Sequence, residues 1–165
     1  EEMLFLKTGI LLQFAAESGV RIGLNTTRAT CPELKAAHEF AYKAGIAFQL
    51  HDDVLGLFAD ERELGKPLGS DIKSGKKTLL VAHALQMAEN DKAYHLREAL
   101  GNSDLTTDEI STVQKIITDC GALKRVQEHA NDLISTAKAS LDAFPDTPYR
   151  NLLLALADRI VNRSY

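Results

Sequence analysis

Two adjacent aspartates, Asp52 and Asp53, lie within a stretch that is otherwise rich in apolar residues. Neighbouring carboxylates repel each other and lose hydration when they are buried, so an apolar helix would carry them at a cost. A Mg²⁺ site is one explanation, because this ion takes one or two carboxylates together with the phosphates of a substrate. A solvated helical face is the plainer interpretation of an isolated Asp-Asp pair. The residues around the pair must therefore distinguish a cation site from ordinary surface.

The residues before and after the pair form one helical pattern. Residues 36–50 contain no proline and one glycine, which predicts a helix that carries the acids. At about 100° per residue, one arc narrower than about a third of the circle holds Gln49, Asp52, Asp53, Gly56 and Asp60. His51 falls on the opposite, apolar side, so we interpret it as a packing or interface residue. Phe48 is predicted to form a cavity wall or part of the core.

A glycine-rich segment follows the acids at residues 65–78 and contains lysines near both ends. Glycine permits backbone turns that other residues resist, and the lysine ammonium binds phosphate as a compact point charge. Lys66 and Lys76 each directly follow a glycine. Asp71 could orient this turn or bind metal, and a charged surface loop is the simpler alternative for the whole segment. Acids on a helix followed by lysines on a loop suit a metal-bridged polyphosphate.

Together these segments resemble the second aspartate-rich region of the trans-isoprenyl diphosphate synthases, the polyprenyl synthetase family. The resemblance consists of Phe-Gln-x-x-Asp-Asp, then Gly-Lys, then Gly-x-Asp-x-x-x-Gly-Lys-x-Thr, which is a longer signal than a paired aspartate. It implies an all-α helical bundle in which residues 1–165 form the C-terminal half of an isoprenoid-synthase-type domain. The variant Asp-Asp-Val-Leu-Gly-x-Phe-x-Asp is similar to bacterial geranylgeranyl-type synthases.

The resemblance implies a diphosphate site made of acids and lysines. Asp52 and Asp53 would hold one Mg²⁺ against the diphosphate. The lysines that match positions used by the family to bind its oxygens are Lys7, Lys66 and Lys76. Lys7 belongs to a Lys-Thr pair that would be ordinary helix surface without the resemblance.

Oxygen dipoles and apolar walls are implied beside the reacting carbon. Thr8 and Gln49 would lie next to a carbocation, and Phe48 would line the substrate cavity, where apolar walls exclude water. Gly56 departs from the common family pattern, which has a third aspartate there, and an oxygen that coordinates metal or holds water is lost. Asp60 lies one turn further on the same arc and could hold a water in its place.

The reaction that the resemblance implies is a prenyl transfer. An allylic diphosphate loses pyrophosphate, isopentenyl diphosphate attacks the resulting cation, and a proton is then lost. The family also implies a homodimer. The chain begins without Met and lacks the first aspartate-rich motif, so we expect these 165 residues alone to have no measurable condensation activity. Product chain length is outside this sequence, because the family sets it mainly just before that first motif.

Three other functions are compatible with part of the pattern. A non-catalytic or regulatory subunit related to these synthases is favoured by Gly56 and disfavoured by the retained lysines. A terpene cyclase shares the chemistry, but the predicted central helix lacks its Asn/Asp-x-x-Ser/Thr-x-x-x-Glu motif. A helical interaction module with fortuitous acids is the third. Binding of Mg²⁺ with a diphosphate analogue separates this last class from the enzyme.

Composition agrees with a single domain that has its own core. Hydrophobic residues make up 45% and charged residues 25% of the chain, and the net charge of -4 argues against a nucleic-acid surface. Cys31 and Cys120 have no CxxC spacing, which favours a reduced, cytoplasmic setting. We expect no transmembrane segment, because no apolar run approaches the length that crosses a bilayer.

Apolar spacing and capping residues predict the helices that must position the site. A capping box at Thr106 predicts one helix start, Thr147 followed by Pro148 predicts another, and Gly101 and Gly121 predict helix ends. The loop is expected at residues 60–76. The helices are expected at residues 1–24, 32–58, 78–89, 93–100, 107–119, 122–141 and 149–162.

Overall fold

The computed structural model describes residues 2–28, 30–59 and 67–162, and these residues form eight helices and no strand. The predicted all-α fold is confirmed. In chain order the helices are α1 (Glu2–Gly23), α2 (Pro32–Phe58), α3 (Ser70–Lys73), α4 (Leu79–Met87), α5 (Asn90–Ala99), α6 (Thr107–Asp119), α7 (Ala122–Ser140), which is followed by a 3-10 turn at Leu141–Ala143, and α8 (Pro148–Val161).

Helix α1 is not a uniform α-helix. Five of its residues, Phe5–Gly9, form a π-helical stretch between a short α-turn and the regular helix Ile10–Gly23. π-Helical turns are rare inside α-helices and frequently occur at functional sites. This stretch contains the Lys-Thr pair, and the apolar spacing that predicts a helix here does not predict its π-turn.

Apolar side chains cover more of α1 than a single buried stripe. Leu11 and Phe14 are 71% and 70% exposed, respectively. By length and composition, α1 is sufficient to cross a membrane, so the expectation that no apolar run reaches that length is wrong. A helix that is apolar on all sides is typical of the core of a larger protein as well as of a membrane span.

The chain divides into two compact units, and the first lies within Glu1–Gln49 and His129–Arg163. Its helices are joined by specific polar contacts. The Ser140 hydroxyl donates to the backbone oxygen of Ala36 at 3.2 Å. Lys138 pairs with Asp158 at 2.7 Å between Nζ and Oδ1. The predicted start of the last helix is confirmed, since the Thr147 hydroxyl caps α8 and proline occupies its first turn.

The second unit lies within Leu50–Glu128 and contains the end of α2 together with α3 to α6. Its core includes five fully buried side chains: Leu50, Leu57, Ile72, Leu80 and Ile117. The side-chain amide of Gln114 donates to the backbone oxygen of Leu57 at 2.7 Å, which attaches α6 to α2. The predicted capping box is confirmed, with Thr106 and Glu109 bonding each other's backbone.

The short helix α3 was not predicted, because residues 60–76 were expected to be loop throughout. Gly69 precedes α3 with a φ of 70°, a left-handed conformation that favours glycine. Thr78 lies outside α4 rather than inside it, and its hydroxyl accepts from the backbone N–H of Val81 at 3.2 Å. Caps therefore define both ends of the segment that carries Lys76.

Candidate functional site

The two adjacent aspartates of α2 differ in exposure. Asp53 is buried, with 4% of its surface exposed, and Asp52 is partly exposed. Burying an ionised carboxylate is costly without a hydrogen-bonded partner of opposite charge. The second unit must therefore supply a cation to Asp53.

Lys76 supplies that cation. Its Nζ donates to Oδ1 of Asp53 at 2.9 Å and to Oδ2 of Asp71 at 2.7 Å. Burial alone lowers the pKa of Lys76, but the hydrogen bonds and charges of the two carboxylates outweigh burial and raise it. Lys76 therefore remains protonated throughout the neutral range. The structure brings together two residues that were predicted separately, Lys76 for the substrate and Asp53 for the metal.

The turn after α3 gives Lys76 its position. The backbone N–H of Lys76 donates to the backbone oxygen of Asp71 at 2.9 Å, and the Ser74 hydroxyl donates to the same oxygen at 3.1 Å. Gly75 has a φ of 72°, and a Cβ placed on it would lie 3.3 Å from Cα of Gly101. This position combines left-handed backbone with a close approach, so a side chain at residue 75 would be strained and crowded.

Gly56 lies against the carboxylate of Asp71. A Cβ built at Gly56 would stand 2.6 Å from Oδ2 and 2.8 Å from Cγ of Asp71. These distances are shorter than van der Waals contact. The Asp71 carboxylate can lie here only because residue 56 has no side chain. The sequence alone indicates a lost oxygen at Gly56 and does not define the role of Asp71. The signal that could have joined them is the Gly-x-Asp element that begins at Gly69.

The first unit holds the Lys-Thr pair and an apolar cavity. Lys7 is exposed on the π-helical stretch of α1, and Thr8 is partly buried. A cavity of about 350 Å³ has Thr8 and Phe48 in its lining, as expected if both face one substrate. Other lining residues are mostly apolar and include Leu12, Ala44, Leu153 and Leu156.

Gln49 also belongs to the first unit and is 3% exposed. Its Oε1 has no hydrogen-bond partner within the described ranges 2–28, 30–59 and 67–162. Leaving a buried carbonyl oxygen without a donor costs free energy, and such atoms in native structures call for an explanation. An oxygen of this kind can stabilise a nearby positive charge.

Two predicted site residues, Asp60 and Lys66, lie outside the described residues, so their roles remain predictions. His51 is 7% exposed, which agrees with a packing residue. Among the residues that are described, no three His, Cys, Asp or Glu side chains converge as a metal-ligand group. The Asp53 carboxylate is already paired with the Lys76 ammonium, so a divalent cation that bound it would have to displace that ammonium and take its remaining ligands from phosphate and water.

Comparison with known proteins identifies the class. Residues 1–117 match the polyprenyl synthetase family, and the chain belongs to that family. The geranylgeranyl diphosphate synthase of Methanosarcina mazei is 35% identical over 164 residues, which is 99% of this chain and 48% of that enzyme. The chain therefore spans about half the length of this curated relative.

Solved structures agree with the family and the fold. The geranylgeranyl pyrophosphate synthetase of Pyrococcus horikoshii Ot3 superposes with a TM-score of 0.86 at 36% identity, covering 99% of this chain and 48% of that one. The geranylgeranyl pyrophosphate synthase of Corynebacterium glutamicum, complexed with isoprenyl diphosphate and magnesium, gives a TM-score of 0.76 at 34% identity. That alignment covers 82% of this chain and 39% of the other.

Proposed function

We propose that this chain is the C-terminal part of a trans-prenyltransferase that condenses an allylic diphosphate with isopentenyl diphosphate and releases pyrophosphate. The observation that carries the proposal is the ammonium of Lys76 held between a buried and a partly buried carboxylate, Asp53 and Asp71. The ammonium contacts one carboxylate oxygen of each aspartate. The magnesium named in the Corynebacterium structure supports a divalent metal, which we propose is Mg²⁺ here.

Asp52 and Asp53 would hold the metal, and the lysines Lys7, Lys66 and Lys76 would bind the diphosphate. Bound Mg²⁺ would supply electrostatic stabilisation of the departing pyrophosphate, and stabilisation of this kind usually lowers an enzymatic barrier more than any other effect. The ammonium of Lys76, held beside Asp53, would add a fixed positive charge. Its raised pKa keeps that charge in place at neutral pH.

The first unit would receive the hydrocarbon. The apolar cavity with Thr8 and Phe48 in its lining suits a prenyl chain and keeps water from the reacting carbon. The buried, unpartnered oxygen of Gln49, the residue after Phe48, would stabilise a positive charge that develops near it. Thr8 has a hydroxyl oxygen in the cavity lining and would stabilise the positive charge of the reacting carbon.

The proposal also covers the oligomeric state, the cellular location and the placement of α1. The family implies a homodimer, and the two free cysteines, Cys31 and Cys120, favour a reduced, cytoplasmic location. We propose that α1 packs inside the enzyme rather than in a bilayer, because it carries charged residues along its length. One of them, Glu17, pairs with His38 of α2 at 3.0 Å.

A non-catalytic subunit remains the second candidate, and Gly56 is the observation that favours it. Incorporation of labelled isopentenyl diphosphate by the intact protein separates the two. We expect product with Mg²⁺, none with a chelator, and at least about a 100-fold loss for Asp53→Asn. A folded intact protein that forms no product, yet alters the activity of a partner synthase, would identify the regulatory subunit.

A further inference from the structure

The ammonium of Lys76 and a divalent cation would compete for the carboxylate of Asp53. Nζ of Lys76 lies 2.9 Å from Oδ1 of Asp53, whose side chain is only 4% exposed. A metal on either oxygen of that carboxylate would stand close to the ammonium, and like charges at short range repel strongly where water is largely excluded. The ammonium must therefore leave Asp53 for the metal to bind there.

A second carboxylate allows the ammonium to leave Asp53 and still keep an anionic partner. Oδ2 of Asp71 accepts from Nζ of Lys76 at 2.7 Å. The side chains of Asp71 and Lys76 are 18% and 36% exposed, respectively, so this second pair lies nearer to solvent than Asp53 does. Because an ammonium has three donors, Lys76 can remain bonded to Asp71 while it donates to an anion that arrives from solvent.

The backbone around Lys76 is anchored, so its side chain is the part that can change partner. The backbone N–H of Lys76 donates to the backbone oxygen of Asp71 at 2.9 Å. The backbone oxygen of Ile72, a buried residue, accepts from the amides of Gly75 and Gly101, each at 2.9 Å. A lysine stem on a fixed backbone can move its ammonium between two neighbouring acids by rotating its own bonds.

We propose that Lys76 couples metal binding to diphosphate binding: its ammonium opposes a divalent metal at Asp53 when diphosphate is absent and releases Asp53 when diphosphate is bound. The inference rests on the proposed function and adds how that site is regulated. Diphosphate oxygens would draw the ammonium away from Asp53 and would also supply ligands to the metal. The two ligands therefore strengthen each other's binding, and part of this coupling comes from Lys76.

Removing the charge tests the coupling, because the two affinities should then change in opposite directions. Electron paramagnetic resonance measures binding of Mn²⁺, which takes the same oxygen ligands as Mg²⁺, to the intact protein. Lys76→Met should bind Mn²⁺ alone about tenfold or more tightly than the unaltered protein does, since a buried Asp53 without its ammonium favours another cation. In excess Mn²⁺, the same variant should bind pyrophosphate about 10–100-fold more weakly. Association of Mn²⁺ with pyrophosphate in solution is common to all variants and cancels in the comparison.

Two further variants locate the effect. Lys77→Met, at an exposed neighbouring position, is the matched control and should bind both ligands like the unaltered protein. Adding Asp53→Asn to Lys76→Met should remove the gain in Mn²⁺ affinity, because the carboxylate charge that the ammonium balanced is then gone. If Lys76→Met melts early, the rise of its thermal midpoint with Mn²⁺ replaces the titration, and this rise should exceed that of the unaltered protein.

Opposite changes in the two affinities of Lys76→Met would support the coupling. The coupling alone is overturned, and the proposed function stands, if Lys76→Met binds Mn²⁺ no more tightly than the unaltered protein does. The same conclusion follows if its pyrophosphate binding is unchanged or if the gain in Mn²⁺ affinity persists with Asp53→Asn. An unaltered protein that binds no pyrophosphate in the presence of Mn²⁺ would contradict the proposed function, and the coupling would fail with it.

Discussion

Gly45 of α2 and Gly9 of α1 lie in backbone contact: a Cβ on Gly45 would stand 2.5 Å from Cα of Gly9. Gly9 is the last residue of the π-helical stretch and directly follows the Lys-Thr pair. The contact therefore fixes the spacing of the two helices next to Thr8, which is in the lining of the apolar cavity.

The close contact between Gly45 and Gly9 should be sensitive to an added methyl group. Gly45→Ala should lower the free energy of unfolding by about 1–3 kcal/mol, because the added methyl meets backbone that cannot rotate away. Gly19→Ala on α1, where a Cβ meets no atom within 4 Å, should instead raise it by about 0.5–1 kcal/mol. Denaturant unfolding of both variants checks the pair, and equal stabilities would contradict the close approach.

We expect Lys76, but not its neighbour Lys77, to contribute strongly to pyrophosphate binding. Lys76→Met removes the charge and retains most of the side chain, and it should weaken Mg²⁺-dependent pyrophosphate binding about 10–100-fold, the worth of a charged hydrogen bond. Lys77→Met is the control, since Lys77 is exposed. Calorimetry on the intact protein compares them. Similar losses for both would assign the loop lysines to a general surface charge.

The capping box of α6 should make stability depend on acid pH. Hydrogen bonds from the backbone and the hydroxyl of Thr106 to the Glu109 carboxylate lower the pKa of Glu109. A lowered folded-state pKa contributes stability above the unfolded value of about 4.3, and that stability is lost as pH falls through the folded value. Glu109→Gln should therefore melt earlier than the unaltered protein at pH 7, and the difference should vanish in acid. A gap that is independent of pH would contradict the charge-assisted cap.

Filling the cavity should restrict the hydrocarbon. Ala44 is in the cavity lining and is 2% exposed, so Ala44→Leu places added methyl groups in the space proposed for the prenyl chain. We expect the intact enzyme to lose about tenfold or more in relative use of its longest allylic substrate, because a hydrophobic pocket discriminates methylene groups on that scale. Ala82→Leu, on an exposed part of α4, is the control. Unchanged relative use of that substrate would place the prenyl chain elsewhere.

Capping residues and apolar spacing, which are local features of the sequence, predict much of the fold. The capping box at Thr106, the Thr147–Pro148 start and the long apolar pattern of α2 depend on residues a few positions apart, so they can be recognised in one sequence. The π-helical stretch carries no such signal, since the apolar spacing suits an α-helix equally well. The apolar character of α1 was underestimated, because Lys7 and Glu17 interrupt a segment whose remaining residues are largely apolar.

The site was predictable in its residue types and not in its pairings. Lys76 and Asp53 are 23 residues apart, and their hydrogen bond depends on the unpredicted turn of α3 and on the left-handed Gly75. The sequence suggests a missing ligand at Gly56, but it does not show that the Asp71 carboxylate lies against this position. Contacts of this kind between separate segments become visible only in the three-dimensional structure.

The most direct test of a metal-assisted diphosphate site is a crystal structure of the intact protein grown with Mn²⁺ and pyrophosphate. Anomalous scattering would locate the metal without ambiguity. We expect a metal peak beside the Asp53 carboxylate, with Lys76 retained by Asp71 and donating to pyrophosphate. A metal and pyrophosphate bound elsewhere, with Lys76 still bridging Asp53 and Asp71, would contradict it.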